Sequence, residues 1–174
     1  MGTSMASVSF RRTDNRNWLD LKSKIAKMYQ GIEGLVDNME QEQNAYAIVS
    51  PYGDMGMFLE SIPKEVSQLT GDYAIFCMCV DSDFALLELY RNGQCIEKSA
   101  IGAPELLAEI DELADMKTPD IALWKPLLQN TEDAEALQKA FTEEAVFVED
   151  QLREVSALTG IPVFDDALVY GEGF

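Results

Sequence analysis

Apolar positions along this chain follow two rhythms, one close to 3.6 residues near both ends and one of two residues in the middle. Trp18, Leu21, Ile25, Met28, Ile32, Leu35 and Met39 recur at alternating steps of three and four. That spacing predicts one amphipathic helix of about six turns. Asp14 or Asn15 is placed to cap it, and Gly31 and Gly34 each weaken it by about 1 kcal/mol relative to alanine. Ala45 to Ser50 reads as a strand, Pro51 to Gly53 as a turn and Met55 to Ser61 as a second strand. Pro63 suits the first turn of a short helix running to about Leu69, which Thr70-Gly71-Asp72 stops.

The stretch from Tyr73 to Ala100 organises the rest. It reads YAIFCMCV, DSD, FALLELYR, NG and QCIEKSA: three strand-like runs and two short polar breaks. Asn92-Gly93 predicts a type I′ hairpin, because both central residues of that turn need positive φ. From Tyr73 to Arg91 both alternating sets are largely apolar, as in strands covered on both faces. Gln94 to Ala100 alternates polar and apolar, so it belongs nearer an edge.

Beyond it, Pro104 opens a helix carrying Leu106, Leu107, Ile110 and Leu113. Thr118-Pro119-Asp120 breaks that helix, and Ile121, Trp124, Leu127 and Leu128 mark a shorter one. Thr131 reads as the cap of a long final helix, with Glu132, Asp133 and Glu135 complementing the positive end of its dipole. Its stripe is Ala134, Leu137, Phe141, Val148, Leu152, Val155 and Leu158, and Gly160 stops it. Leu168 to Tyr170 suggests one more short strand. The expected architecture is a single α+β domain over residues 1–174. An antiparallel β-meander of about five strands is packed with a long N-terminal helix and several C-terminal helices. Residues 1–13 are expected to be flexible or partly vector-derived, with Met1 to Ser4 readable as a leader ahead of a native start at Met5.

Charge changes this picture more than bulk composition does. The 174 residues carry 13 basic and 31 acidic side chains, a net charge of −18. Residues 1–30 hold six Lys/Arg against Asp14 and Asp20, or +4, whereas residues 101–174 hold 17 acids against four bases, or −13. Such a field repels nucleic acid and anionic membrane and speeds encounter with basic proteins. Solubility alone also explains it. The longest apolar run, Tyr73 to Val80, is too short to span a bilayer, and no secretory h-region precedes it. Three cysteines, an odd number, fit a reducing compartment, so the cytoplasm is the expected location.

The chain has no histidine. That removes the commonest general base, the usual Ser and Cys triads and most zinc or haem sites. Among the remaining chemistry, Asp81-Ser82-Asp83 places oxygen ligands at alternate positions of a tight loop. With Asp54, Asp165 or Asp166 brought near, it could hold Ca²⁺ or Mg²⁺. Turn chemistry explains the same spacing without an ion and is preferred. Cys77 and Cys79 share a strand face; buried thiols are a simpler reading than zinc, for which only Cys95 and carboxylates remain. Glu143/Glu144 and Asp165/Asp166 are adjacent carboxylates, better read as solvated surface than as acid–base pairs. The glycines form no phosphate-binding fingerprint. No cofactor is expected.

Two phrases, VDSDFALLELYRNGQ at 80–94 and ALTGIP at 157–162, carry a resemblance. From Ala45 to about Val163 the order of parts resembles a loosely defined group of small, acidic bacterial α+β proteins of unknown function. Some members are encoded beside polymorphic toxins and treated as candidate immunity proteins. The resemblance implies a non-enzymatic protein, monomer or homodimer, whose acidic half faces a basic protein partner. Arg11, Arg12 and Arg16 depart from a uniformly acidic surface. The acids expected to meet the partner are Glu132, Asp133, Glu135, Glu143, Glu144, Glu149 and Asp150. The alternative is a domain binding a divalent metal or small molecule, or a carboxylate enzyme, using Asp81 and Asp83. A structural subunit forming a homodimer through an apolar patch is the third possibility.

Overall fold

The computed structural model describes residues 2–11, 20, 23–24, 27, 39–42, 45–50 and 61–166, with only the backbone at 39–42 and 45–50. Its elements are β1 (Met5–Arg11), β2 (Met39–Glu42), β3 (Ala45–Ser50), α1 (Ser61–Thr70), β4 (Tyr73–Val80), β5 (Phe84–Arg91) and β6 (Gln94–Gly102). Helices α2 (Pro104–Glu109), α3 (Ile121–Trp124), α4 (Ala134–Thr142) and α5 (Val148–Thr159) follow. The chain is therefore α+β with an antiparallel sheet, in the order β2-β3-β1-β4-β5-β6.

β4, β5 and β6 form the expected meander, and Asn92 and Gly93 take φ of 49° and 78° in the turn between the last two. β6 is an edge strand. Its register slips by one residue opposite Leu89/Tyr90, which leaves Ile96 as a bulge. Bulges of this kind blunt an open edge against further pairing.

The main correction lies at the N-terminus. Residues 5–11, expected to be flexible, form β1 in the middle of the sheet, between β3 and β4. The sheet is accordingly not a simple five-strand meander. Met5, Ser7 and Ser9 occupy one face and Ala6, Val8 and Phe10 the other, and all six are buried. Ser7 Oγ donates to the Val163 carbonyl at 3.0 Å, which satisfies a hydroxyl that the sequence pattern would assign to water.

The two faces carry separate packing. Met5, Ile75, Cys77, Leu87, Leu89 and Ile101 share one core cluster with Trp124, Leu127, Phe141, Leu152, Val155 and Val163. The opposite face carries Val8, Phe10, Ala74 and Phe76, and α1 lies beside β1, β4, β5 and β6 with Ile62 and Val66 buried. Trp124 is fully buried, stacks edge-on to Phe141 at 5.1 Å, and donates its indole N–H to Glu97 Oε1 at 2.7 Å. The second Glu97 oxygen accepts from the Asp120 backbone N–H, so one strand carboxylate anchors the start of α3.

Other expectations shift by smaller amounts. Asp20, Ser23, Lys24 and Lys27 are helical, and Lys24 pairs with Asp20 at 2.8 Å. The stripe positions Trp18, Leu21, Ile25, Met28, Ile32 and Leu35 lie outside the described residues, and Met39 begins a strand. Residues 51–60 and 167–174 also lie outside them; Ser61 is helical. The final long helix is two helices, α4 and α5, separated at residues 143–147. Asn130, one residue before Thr131, caps the turn that leads into α4 by accepting from Glu132 N–H at 3.1 Å. Gly160 ends α5 at φ 67°, as its position implied; a Cβ there would lie 2.3 Å from the Gln129 side chain.

Candidate functional site

The Asp81–Asp83 loop is a built turn. Asp81 and Ser82 take φ of 49° and 65°, and Asp83 N–H donates to the Val80 carbonyl at 3.0 Å, as a type I′ reversal requires. Aspartate and serine tolerate left-handed backbone better than branched residues do. The segment ahead of β1 closes over this turn. Gly2 N–H donates to Asp81 Oδ1 at 3.0 Å, Thr3 N–H to Ser82 Oγ at 2.7 Å, and Ser82 N–H to the Thr3 carbonyl at 2.9 Å. A Cβ on Gly2 would sit 1.9 Å from the Asp81 carbonyl oxygen, so only glycine fits this approach.

The first turn of α5 closes the other side. Ser82 Oγ donates to Glu149 Oε1 at 2.5 Å, and Val148 N–H donates to the Ser82 carbonyl at 3.0 Å. Glu149 is only 5% exposed, and its Oε2 is without a hydrogen-bond partner. This corrects the expectation that Glu149 lies on the partner-facing surface: it turns inward onto Ser82, while Asp150, one residue along the helix, faces water. Among the described residues, no three Cys, Asp or Glu side chains converge in a way that could hold a metal ion. Asp81 is held through Oδ1 by Gly2 and through its backbone N–H by Ser4, and Asp83 takes part in the turn through its backbone N–H and carbonyl.

The three thiols are all pushed toward the protonated form in this setting. Cys77 and Cys79 are buried on the core face. Burial, and then the neighbouring Cys79, pushes the Cys77 thiol well up. Burial followed by the Glu149 charge pushes Cys79 from 9.0 to about 12. Cys95 is exposed and its thiol is also raised, chiefly by desolvation and then by Glu88. None is poised as a thiolate nucleophile. Of the adjacent carboxylates, Asp166 receives the Arg153 guanidinium at 3.0 and 2.8 Å, which makes it a structural clamp.

The remaining expected partner residues lie on or around α4 and α5. Glu132, Glu135, Glu143, Glu144 and Asp150 are exposed and Asp133 is half-buried. Glu135, Lys139 and Glu143 recur every four residues along one side of α4, and Lys139 pairs with Glu143 at 3.3 Å. An open groove of about 440 Å³ runs between α4 and α5, with Glu143, Glu144, Asp150 and Glu154 on its walls and alanines between them. Lys139 is the one cation in that lining, giving 1 − 4 = −3.

Sequence reasoning missed three residues here: Val146, Phe147 and Gln151. Val146 is 87% exposed and Phe147 is 54% exposed in the connection between the helices. A signal was present, since Phe141 and Val148 keep the seven-residue stripe and leave Val146 and Phe147 out of phase with it. Gln151 offered none. The chain matches no family model, and no curated protein or solved structure matches it either.

Proposed function

We propose that the protein is a non-enzymatic interaction module that binds a basic protein through the acidic surface of α4 and α5. The immunity-type role implied by the resemblance at 80–94 and 157–162 is part of this reading. The surface comprises Glu132, Asp133, Glu135, Glu143, Glu144 and Asp150, with Glu154 in place of the buried Glu149. The observation that carries the reading is the acid-walled groove beside two solvent-facing apolar side chains, Val146 and Phe147. Exposed apolar groups rimmed by charge are a common composition of recognition surfaces. The absence of histidine and the raised thiols count against nucleophilic or general-base catalysis. In this reading the protein works in a reducing cytoplasm, as a monomer or homodimer, without cofactor, nucleic acid or membrane. No helix among the described residues is long and apolar enough to cross a membrane.

The test is association kinetics. A basic protein captured from the native cell, then purified, should associate with a rate that drops steeply as ionic strength rises. A salt-independent rate would sink the acidic-surface reading.

A further inference from the structure

We propose that the cleft beside α2 binds a small amphiphilic amine, an apolar body ending in one ammonium group. This stands apart from the basic-protein reading, and neither depends on the other. The cleft holds about 360 Å³ and is lined by α2, the end of β6, the turn at 113–118, the last turn of α4 and the first turn of α5. Small-molecule sites commonly hold about 300–1,000 Å³ between mostly apolar walls.

The walls here are apolar. Ile101 and Phe141, both buried, line the cleft from the core, and Leu107, Leu113 and Met116 line it from the connection that follows β6. That connection is the informative part. Its sequence carries the stripe Leu106, Leu107, Ile110 and Leu113, yet α2 stops at Glu109 and buries none of its residues. Of the stripe, Leu113 alone is buried; Leu106 is exposed, and Leu107 is half-buried at the cleft. Helices in folded proteins draw most of their stability from covering such a stripe. Here Leu107 adjoins open volume, and an apolar ligand would cover it together with the wall opposite. Gln151, also in the lining, donates from Nε2 to the Ala140 carbonyl at 3.0 Å and so ties α5 to α4 beside the cleft.

Charge selects the class of ligand. Glu144 is the one charged residue in the lining. It is exposed and carries no ion pair among the described residues. α4 ends at the cleft with Phe141 and Thr142, which brings the negative end of its dipole to the same rim. Thr142 gives its hydroxyl proton to the Gln138 carbonyl at 2.9 Å, so that oxygen has only acceptor capacity left. Carboxylate and dipole both favour a cation, and the lining has no base to offset the repulsion of an anion. A sugar or nucleotide would set its polar groups against leucine and phenylalanine without partners.

The probes are octylammonium, octanol and octanoate, which share one chain and differ in charge at neutral pH. Each is titrated into the full isotope-labelled chain and followed by amide and methyl chemical shifts. Saturable shifts are expected at Leu107, Leu113 and Met116. Octylammonium should bind about fivefold tighter than octanol, the upper range for one exposed ion pair, and octanoate should bind weakest. Glu144→Gln, a surface change, should bring octylammonium to the level of octanol and leave octanol unchanged. Ala108→Phe, at an exposed position of the lining, should weaken all three. Octanoate binding as tightly as octylammonium, or a preference that survives Glu144→Gln, would overturn the amine. Shifts centred on Val146 and Phe147, or none that saturate, would overturn the cleft.

Discussion

Two short acidic connections, Asp81–Asp83 between β4 and β5 and Glu143–Phe147 between α4 and α5, look alike in sequence and differ in nearly every physical respect. In the first, Asp81 accepts from Gly2, Ser82 exchanges hydrogen bonds with Thr3 and donates to Glu149, and the Asp83 carbonyl accepts from Ala103 N–H at 3.3 Å. In the second, Glu144 has no partner among the described residues and the apolar pair at 146–147 stands in water. The α5 first turn touches both, sending Glu149 to the closed connection and Asp150 to the open one. Counting acids therefore says little about which are available. The donors within reach decide it, because a buried carboxylate must find them and an exposed one need not.

The largest expected effect tests whether the closed end is anchored by a central strand. Phe10→Ala in β1 removes a fully buried ring, for which about 3–5 kcal/mol of stability should be lost. Urea unfolding reads this directly; a loss below about 0.5 kcal/mol, the range of surface changes, would mean that residues 5–11 lie outside the fold. Next in size, Ser82→Ala leaves Glu149 buried with neither oxygen bonded and should cost about 1–3 kcal/mol. The matching change in the open connection, Glu144→Ala, should stay within about 0.5 kcal/mol. Equal costs in the two variants would erase the contrast.

What could be read from sequence was local. Asn92-Gly93 and Gly160 declare their backbone conformations within two or three residues, and the structure places them in left-handed geometry. The two-sided apolar character of Tyr73 to Arg91 foretold strands covered on both faces. What could not be read depended on distant partners. Ser7 gives no local sign of burial until Val163, 156 residues away, supplies an acceptor. Glu149 is one acid among many until Ser82, 67 residues away, selects it. The break after Thr142 was masked because Phe141 and Val148 keep the helical phase across it. Two acids at the negative end of α4 and the β-preferring Val146-Phe147 pair disfavour continuing the helix.

The closed connection should also be visible in pH dependence. Cys79, beside Thr3 and Glu149, keeps its proton to about pH 12, whereas an unfolded thiol loses it near 9.0. Above the unfolded value the folded state holds more protons, so stability should fall as pH rises, by up to about 1.4 kcal/mol per unit for each such thiol. Cys77 acts in the same direction through burial. Cys95 and Tyr90, also raised, contribute likewise, so the measurement is a difference. Cys79→Ala should unfold with a shallower pH slope than wild type between about pH 9 and about pH 11. Identical slopes would show that the thiol beside the turn is not sealed from solvent.

The smallest effect bears on the open connection and has the opposite sign. Phe147 holds extended backbone, φ −127° and ψ 133°, at the α5 N-cap and makes no side-chain cap bond. Serine in that conformation can accept from the backbone N–H two or three residues on, so Phe147→Ser should raise stability by about 1 kcal/mol. The ring covers little core to offset this, being 54% exposed. If the connection serves recognition, the same variant should hold the basic partner more weakly while melting higher. A phenylalanine whose removal lowers stability would belong to the packing of the helix pair, and the contrast between a sealed acidic turn and an open one would rest on the carboxylates alone.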